Sequence, residues 1–418
     1  MAKRRGSPKK KVVTTIKALG GTVEHVEFDA LPIHDSMWGL CTGADGVVYP
    51  VACGECTGGL SAFILSYHPV KHTVEYLLEC GPAVGAPADD GHATQAKIHY
   101  CIIGASNGLL YCATHASGAP LGHPSWRPWY TWADPHVRFP GSYIFTYDPN
   151  TGKVDNFGIG PEREGSRCLA LDEKHLKLYG ITWPRNHVYV YYVEERRYVD
   201  LGRIGDVNPQ AIWLDRDGNA YTTDDYGRFL RIDGETNEIR GLKTRCPHEW
   251  YRQGWHNVPY DVVPSPDWSC VYGCDWGYES HIWRFDPYDG PDGSVEDLGR
   301  ALGPPDLKTD HSLEYHNVRG LVFGADGKLY FCMRVPHKNE TPMHMARIDV
   351  KTGKREVVAV LKFGGHEPNH IASATCDFYG NLYFAGAGNV PTGMYVYRPD
   401  WVNYKKKVFS WKDIKPWG

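Results

Sequence analysis

Seven copies of one phrase predict an all-β chain, a seven-bladed β-propeller with four antiparallel strands per blade. The phrase is an apolar run, a turn often containing Asp-Gly, then a small or aliphatic residue followed by Tyr and an apolar tail. It reads GADGVVYPVAC (43–53), GASNGLLYCATH (104–115), DEKHLKLYGITW (172–183), DRDGNAYTTDD (215–225), SPDWSCVYGCDW (265–276), GADGKLYFCMR (324–334) and DFYGNLYFAGA (377–387). Most copies continue with a third strand ending in Asp and a fourth leading to Leu-Gly, as in HIWRFDPYDGPDGSVEDLG. Composition agrees: 27 Tyr and 14 Trp favour strands, and 46 Gly with 29 Pro imply many turns. A four-stranded blade is too small to bury its own faces, so the copies must stack around a closed ring.

The elements follow in chain order. Residues 1–19 begin MAKRRGSPKKK, a basic block with no apolar run behind it, and are read as a solvated, disordered tail. Residues 20–418 form one propeller domain without an internal linker. The stretch 117–140 is an insertion between the second and third strands of the second blade, rich in aromatics and suited to wall or cover a site. MYVYRPD supplies the third strand of the last blade. Its fourth is either TVEHVEF (22–28) or KKVFSWKD (406–413), and either closes the ring.

Bulk properties exclude some classes. A formal net charge of -4 argues against a nucleic-acid partner. No run approaches the roughly 18 apolar residues of a membrane span. The 12 cysteines sit mostly inside strand-like runs, where a thiol behaves as a small hydrophobe. With no signal peptide in view, the expected compartment is a reduced cytoplasm; a trimmed signal would make the protein secreted.

Aligning the copies on their tyrosines (Tyr49, Tyr111, Tyr179, Tyr221, Tyr272, Tyr330, Tyr383) separates framework from site. The tyrosines themselves are assigned to packing between blades. Near the start of each first strand stand Trp38, His99, Arg167, Gln210, Tyr260, Arg319 and His370. At the end of each second strand stand Cys53, His115, Trp183, Asp225, Trp276, Arg334 and Ala387. Both columns emerge on one face of the ring. A framework column should be apolar and monotonous, whereas these are cationic, polar and aromatic. Buried Arg and His there need an anionic partner. Arg167, Arg319 and Arg334 suit bidentate capture of a carboxylate or sulfate. Trp38, Trp183, Trp276 and Tyr226 offer flat platforms for sugar rings. An anionic carbohydrate fits both sets. His99 and His115 meet on adjacent strands of one blade and are read as an acid–base pair.

KIH before a strand, NGLLYCATH after it, then YIFTYDPNTGKVDNFG and LALDEKHLKLYGITWP resemble the propeller-fold polysaccharide lyases, including ulvan lyases and rhamnose–glucuronate lyases. The resemblance is specific over 97–205. It implies β-elimination at a uronic acid: a cation neutralises the carboxylate, a base takes the C5 proton, and an acid protonates the leaving C4 oxygen. By that resemblance His115 transfers the proton, while His99, with an arginine, faces the carboxylate; Arg167 and Tyr260 are grouped with the two histidines as catalytic. Where the family places a tyrosine and an arginine in the third blade, this chain has Arg167 and Trp183, with Arg185 two residues on. Tyr260 and Tyr226 are the substitute acid–base tyrosines. Gln210, Asp225, Trp276, Arg319, Arg334 and His370 complete the substrate-binding set.

No cofactor is required for such catalysis. The resemblance also implies a structural zinc near the centre. Cys274 and Cys332 share a column in adjacent blades, with His256 or a ring histidine as a third ligand; two buried thiols are the alternative. HEPNH (366–370) is not a helical zinc-protease motif, because Pro368 breaks the helix and His370 enters a strand. Two competing readings remain: a calcium-dependent lactonase, which would need carboxylates at the channel mouth, and a non-catalytic propeller binding an anionic glycan or a protein.

Overall fold

The recurring phrase folds as a hairpin whose turn explains its tyrosine. Glycine follows the first strand at Gly46, Gly108, Gly218, Gly327 and Gly380, each with φ between 72° and 92°. L-residues avoid this left-handed region. The turn aspartate then accepts the tyrosine hydroxyl: Tyr49 to Asp45 (2.5 Å), Tyr221 to Asp215 (2.9 Å), Tyr330 to Asp326 (3.0 Å) and Tyr383 to Asp377 (2.7 Å). The second blade substitutes Asn107, whose amide donates to the Tyr111 hydroxyl at 3.2 Å. The tyrosine is therefore a turn lock as well as a packing residue. Tyr383→Phe removes a hydrogen bond to a buried carboxylate and is expected to cost about 1.5–3 kcal/mol, read as a lowered urea midpoint with unchanged slope.

The computed structural model describes residues 10–28, 34–54, 61–86, 92–116, 136, 138–206, 209–247, 258–275, 280–302, 318–335, 341–388 and 392–415. Its 29 strands form five separate four-stranded antiparallel sheets and one nine-stranded sheet. The nine-stranded sheet is the first and last blades joined through the single pair Ala387↔Ser36. The first strand of each blade is innermost: β3 (Ser36–Thr42), β7 (Ile102–Gly104), β11 (Gly165–Asp172), β15 (Trp213–Leu214), β19 (Pro259–Pro264), β23 (Arg319–Phe323) and β27 (His370–Cys376). The chain is a β-propeller, with β27 packed back against β3. Each blade stacks on the next through buried aliphatic and aromatic side chains, among them Trp213, Trp283, Tyr189 and Phe145.

The ring closes with the N-terminal candidate. Strand β2 (Gly21–Phe28) pairs antiparallel with β29 (Gly393–Pro399), from Gly21↔Pro399 to Glu27↔Gly393. Val23, Val26 and Phe28 are fully buried by that pairing. The other candidate, 406–413, is not a strand. It leads into a helical turn, Trp411–Ile414, capped by Ser410 and Asp413. Asp413, Ile414 and Lys415 line the end of the channel away from the polar columns, beside Thr42 and Thr375.

The tail is shorter than its charge suggests. Lys10–Ala18, inside the stretch read as disordered, form β1 on the outside of β2. Lysine-rich sequence is typical of an exposed edge strand, so its composition disguised it. The insertion does lie between β8 (Leu110–Ala113) and β9 (Gly141–Tyr147); most of it falls outside the described residues. The 11 cysteines among the described residues are buried free thiols. No helix among them is long and apolar enough to cross a membrane.

Candidate functional site

Irregularities in the inner strands aim the site residues at the axis. In β11, Ser166 faces Thr182 and Cys168 faces Ile181, so Arg167 is an extra residue without a partner. In β19, Pro259 faces Asp275 and Asp261 faces Cys274, which leaves Tyr260 extra in the same way. In β3 the shift spans Trp38 and Gly39, and β23 and β27 are also offset near their starts. A bulge bends its strand and turns a side chain out of the pleat. Repeated around the ring, this device presents the start-of-strand column to one place.

Blade two is stitched within itself and to blade three where the histidines sit. Lys97 and His115 exchange both backbone hydrogen bonds (3.2 and 2.7 Å), while Tyr100 pairs with β11 through Arg167 and Leu169. The side chains then stack in a row. Trp38 lies on His99 (4.5 Å between centroids, 18°), His99 is 5.7 Å from His115, and His115 stacks on Trp183 (5.3 Å, 30°). His370 tilts against Trp38 at 5.1 Å and 51°. Lys97 Nζ lies 4.1 Å over the Trp38 ring, and the Arg319 guanidinium lies 4.1 Å over Tyr260. Arg167 Nε donates to Gln210 Oε1 at 2.8 Å. All seven start-of-strand residues therefore surround the mouth of one channel, and His115 and Trp183 join them from the second-strand column.

Hydrogen bonding assigns the tautomers. His99 Nδ1 bonds the Arg167 carbonyl at 2.8 Å, and His115 Nδ1 bonds the Ala116 carbonyl. A carbonyl only accepts, so each Nδ1 carries the proton and each Nε2 keeps a lone pair. Both Nε2 atoms are buried without a hydrogen-bond partner among the described residues. Burial, reinforced by Arg167 and Lys97, holds both imidazoles well below the usual histidine range. His370 is lowered likewise by burial and then Arg319. The three rings are neutral at pH 7. Gly165 makes room for His115: a Cβ there would fall 2.7 Å from the ring.

These shifts set a pH dependence of stability. Below pH 6.5 the unfolded chain binds protons that the three folded histidines refuse, so stability falls as pH falls. The slope is about 1.4 kcal/mol per pH unit for each ring. Asp261 acts oppositely: burial pushes it up to about 7, so the folded chain holds an extra proton and this group favours folding as pH drops towards 4. His25 is lowered by burial as well, to about 4, and burial also raises Asp377, so four histidines stand against two carboxylates. The urea midpoint is expected to decrease from pH 6.5 to pH 5, and His99→Gln is expected to flatten that decrease.

Several expected site residues are engaged elsewhere. Arg334 donates to the carbonyls of Asn369 (2.9 Å), Thr341 (3.0 Å) and Pro368 (3.1 Å), so it ties down the turn before β27. Arg185 is exposed and paired with Glu164 at 3.2 Å. Asp225 accepts from the Asp206 amide at 2.7 Å, and with the exposed Tyr226 it lines a separate pocket beside Arg203 and Arg228. Cys274 and Cys332 lie in different apolar clusters, and Cys274 Sγ points at the Val318 carbonyl (3.2 Å). Burial pushes both thiols up, which keeps them protonated. Trp276 and His256 lie outside the described residues.

Lys97, Tyr100 and Asp261 belong to the site and were missed. Asp261 lines the channel with Tyr260 and accepts the Leu321 amide at 2.8 Å, bridging blades five and six. Each is adjacent to, or two residues from, a column residue. Their polarity beside a column position was the available signal.

No protein-family profile and no curated protein sequence matches this chain. Among solved structures it is similar to a streptogramin B lyase, at 12% identity and TM-score 0.59, over 90% of this chain and 97% of that one. It is also similar to virginiamycin B lyase from Staphylococcus aureus, at 12% identity and TM-score 0.54, over 90% and 98% of the two chains. A third similar structure is the extracellular domain of a two-component system from B. thetaiotaomicron (12% identity, TM-score 0.56); this chain spans 39% of its length. At such identity the likeness is one of fold. Fold and site together define a β-propeller with a cationic, aromatic channel mouth.

Proposed function

We propose that this propeller is a carbon–oxygen lyase that cleaves a uronic-acid-containing glycan, sulfated or not, by β-elimination. The observation that carries the reading is the pair of neutral histidines, 5.7 Å apart, with unengaged Nε2 atoms beside Arg167 and Lys97. Arg167 and Lys97 neutralise the uronate carboxylate, which stabilises the enolate-like charge as the C5 proton leaves. His115 Nε2 takes that proton, the C5–H pair becomes the C4=C5 bond, and the C4–O bond breaks. The departing oxygen collects a proton from Tyr260, which sits against Arg319. His99, whose Nδ1 donates to the Arg167 carbonyl, positions that arginine at the carboxylate end. No cofactor enters these steps.

A second reading has its own observation. His99 and His115 are 0% and 2% exposed, sandwiched between two tryptophans. A propeller that only binds an anionic ligand would use such a stack as a rigid floor. A lactonase is disfavoured, since the start-of-strand column is Trp, His, Arg, Gln and Tyr, while Asp261 beside it accepts the Leu321 amide and Asp225 accepts the Asp206 amide. The deciding experiment is incubation with a panel of uronic-acid polysaccharides and oligosaccharides while following ultraviolet absorbance of the unsaturated product. Absorbance growth supports the lyase; binding without it on every substrate supports the second reading.

A further inference from the structure

We propose a divalent-metal site of the zinc type on the last blade, held by His25, Glu27 and His366. One donor atom from each lies within 4.8 Å of the others. His25 and Glu27 are two residues apart on β2, so they share one face of the strand. Glu27 Oε1 is 2.6 Å from His366 Nδ1 and 3.9 Å from His25 Nδ1.

The surroundings are built rather than incidental. Across the strand pair, His25 faces Tyr395 and stacks on its ring at 4.6 Å and 10°. Glu27 faces Gly393, where any Cβ would fall 2.8 Å from His25 Nε2. The Tyr395 hydroxyl donates to the His366 carbonyl at 2.7 Å, and Glu367 accepts the amides of Phe363 (2.8 Å) and Gly365 (3.0 Å). These bonds fix the HEPNH turn so that His366 meets the strand. His25 and Glu27 are 1% and 2% exposed, yet neither ring nitrogen of His25 has a hydrogen-bond partner among the described residues. A buried imidazole left so is costly, and a cation removes the cost.

Two histidines and one carboxylate are the donor set of zinc and related first-row divalent ions. Three protein ligands leave a fourth position open, and the His366 side chain, 39% exposed, marks the side from which water or an added ligand arrives. Strand β2 is the fourth strand of its blade, not an inner one, so the site is separate from the channel stack.

The test uses the full chain without a polyhistidine tag, stripped with chelator, then dialysed against zinc alone and measured by plasma mass spectrometry and titration calorimetry. One zinc ion per chain and a raised melting temperature are expected. His366→Ala, on an exposed turn, should stay folded and lose more than the roughly 10- to 100-fold in affinity that an outer-shell partner is worth. Glu27→Gln, nearly isosteric, should do the same. Absence of stoichiometric zinc in the unaltered chain overturns the site and leaves Glu27–His366 an ion pair. So does full uptake by folded His366→Ala and Glu27→Gln.

Discussion

Under the proposed lyase reaction, His115→Ala is expected to slow unsaturated-product formation from a uronate glycan by roughly 10²- to 10⁴-fold, the usual worth of a positioned proton-transfer group. The ring is held from three sides: Trp183 stacks on it, the Ala116 carbonyl fixes its tautomer, and Gly165 backs it without a side chain. The thermal transition must be followed alongside, because the lost ring leaves a cavity. Gly165→Ala offers a second approach: it keeps the imidazole and pushes it aside, so kcat should fall while the pH profile keeps its shape. A folded His115→Ala with an unchanged rate would remove His115 from proton transfer. For the proposed lyase reaction the acid limb is expected below pH 6.5, since burial and then Lys97 and Arg167 keep His115 neutral into acid.

Removing residues 1–28 is expected to abolish folding, whereas removing residues 1–18 is expected to be tolerated. The longer deletion takes away β2, and with it Val23, Val26 and Phe28, all fully buried. At about 1.5–3 kcal/mol each, their loss approaches the whole stability of an ordinary domain, about 5–15 kcal/mol. It also leaves β29 an unpaired, hydrophobic edge open to aggregation. The shorter deletion removes only β1, whose Ile16 and Ala18 are partly buried. Soluble yield and the cooperativity of thermal unfolding separate the two outcomes. Equal behaviour of the two truncations would mean that β2 does not close the ring.

The channel residues were legible because a repeat makes its own control. Where seven copies agree on Tyr and apolar tails, the position holding Trp38, His99, Arg167, Gln210, Tyr260, Arg319 and His370 stands out. Bulges hid the rest. Strict alternation sends Asp261 to the opposite face from Tyr260, yet the extra residue in β19 lets both line the channel. The second-strand column was less faithful, since Arg334 and Asp225 satisfy backbone groups nearby. Choosing between TVEHVEF and KKVFSWKD was beyond pattern reading: each mixes apolar and charged residues, and only pairing with β29 decides. HEPNH was correctly denied a helix, for β27 begins at His370. Its first histidine nonetheless meets His25 and Glu27, a proximity between residues more than 300 positions apart that no local motif encodes.

The joining of β2 to β29 also imposes a schedule on the ribosome. Strand β2 is made well before its partner, Gly393–Pro399, which follows more than 360 residues later. At a synthesis rate of 5–20 residues per second, the early strand waits roughly 20 to 70 s for the segment it will pair with. Throughout that interval its buried residues, Val23 on one face and Val26 and Phe28 on the other, have no permanent home. Thr22, Glu24, His25 and Glu27 intersperse polar groups among its apolar residues. Nascent chains halted before residue 393 should therefore remain soluble but unlocked, and the ring should become protease-resistant in one step once the last blade clears the exit tunnel.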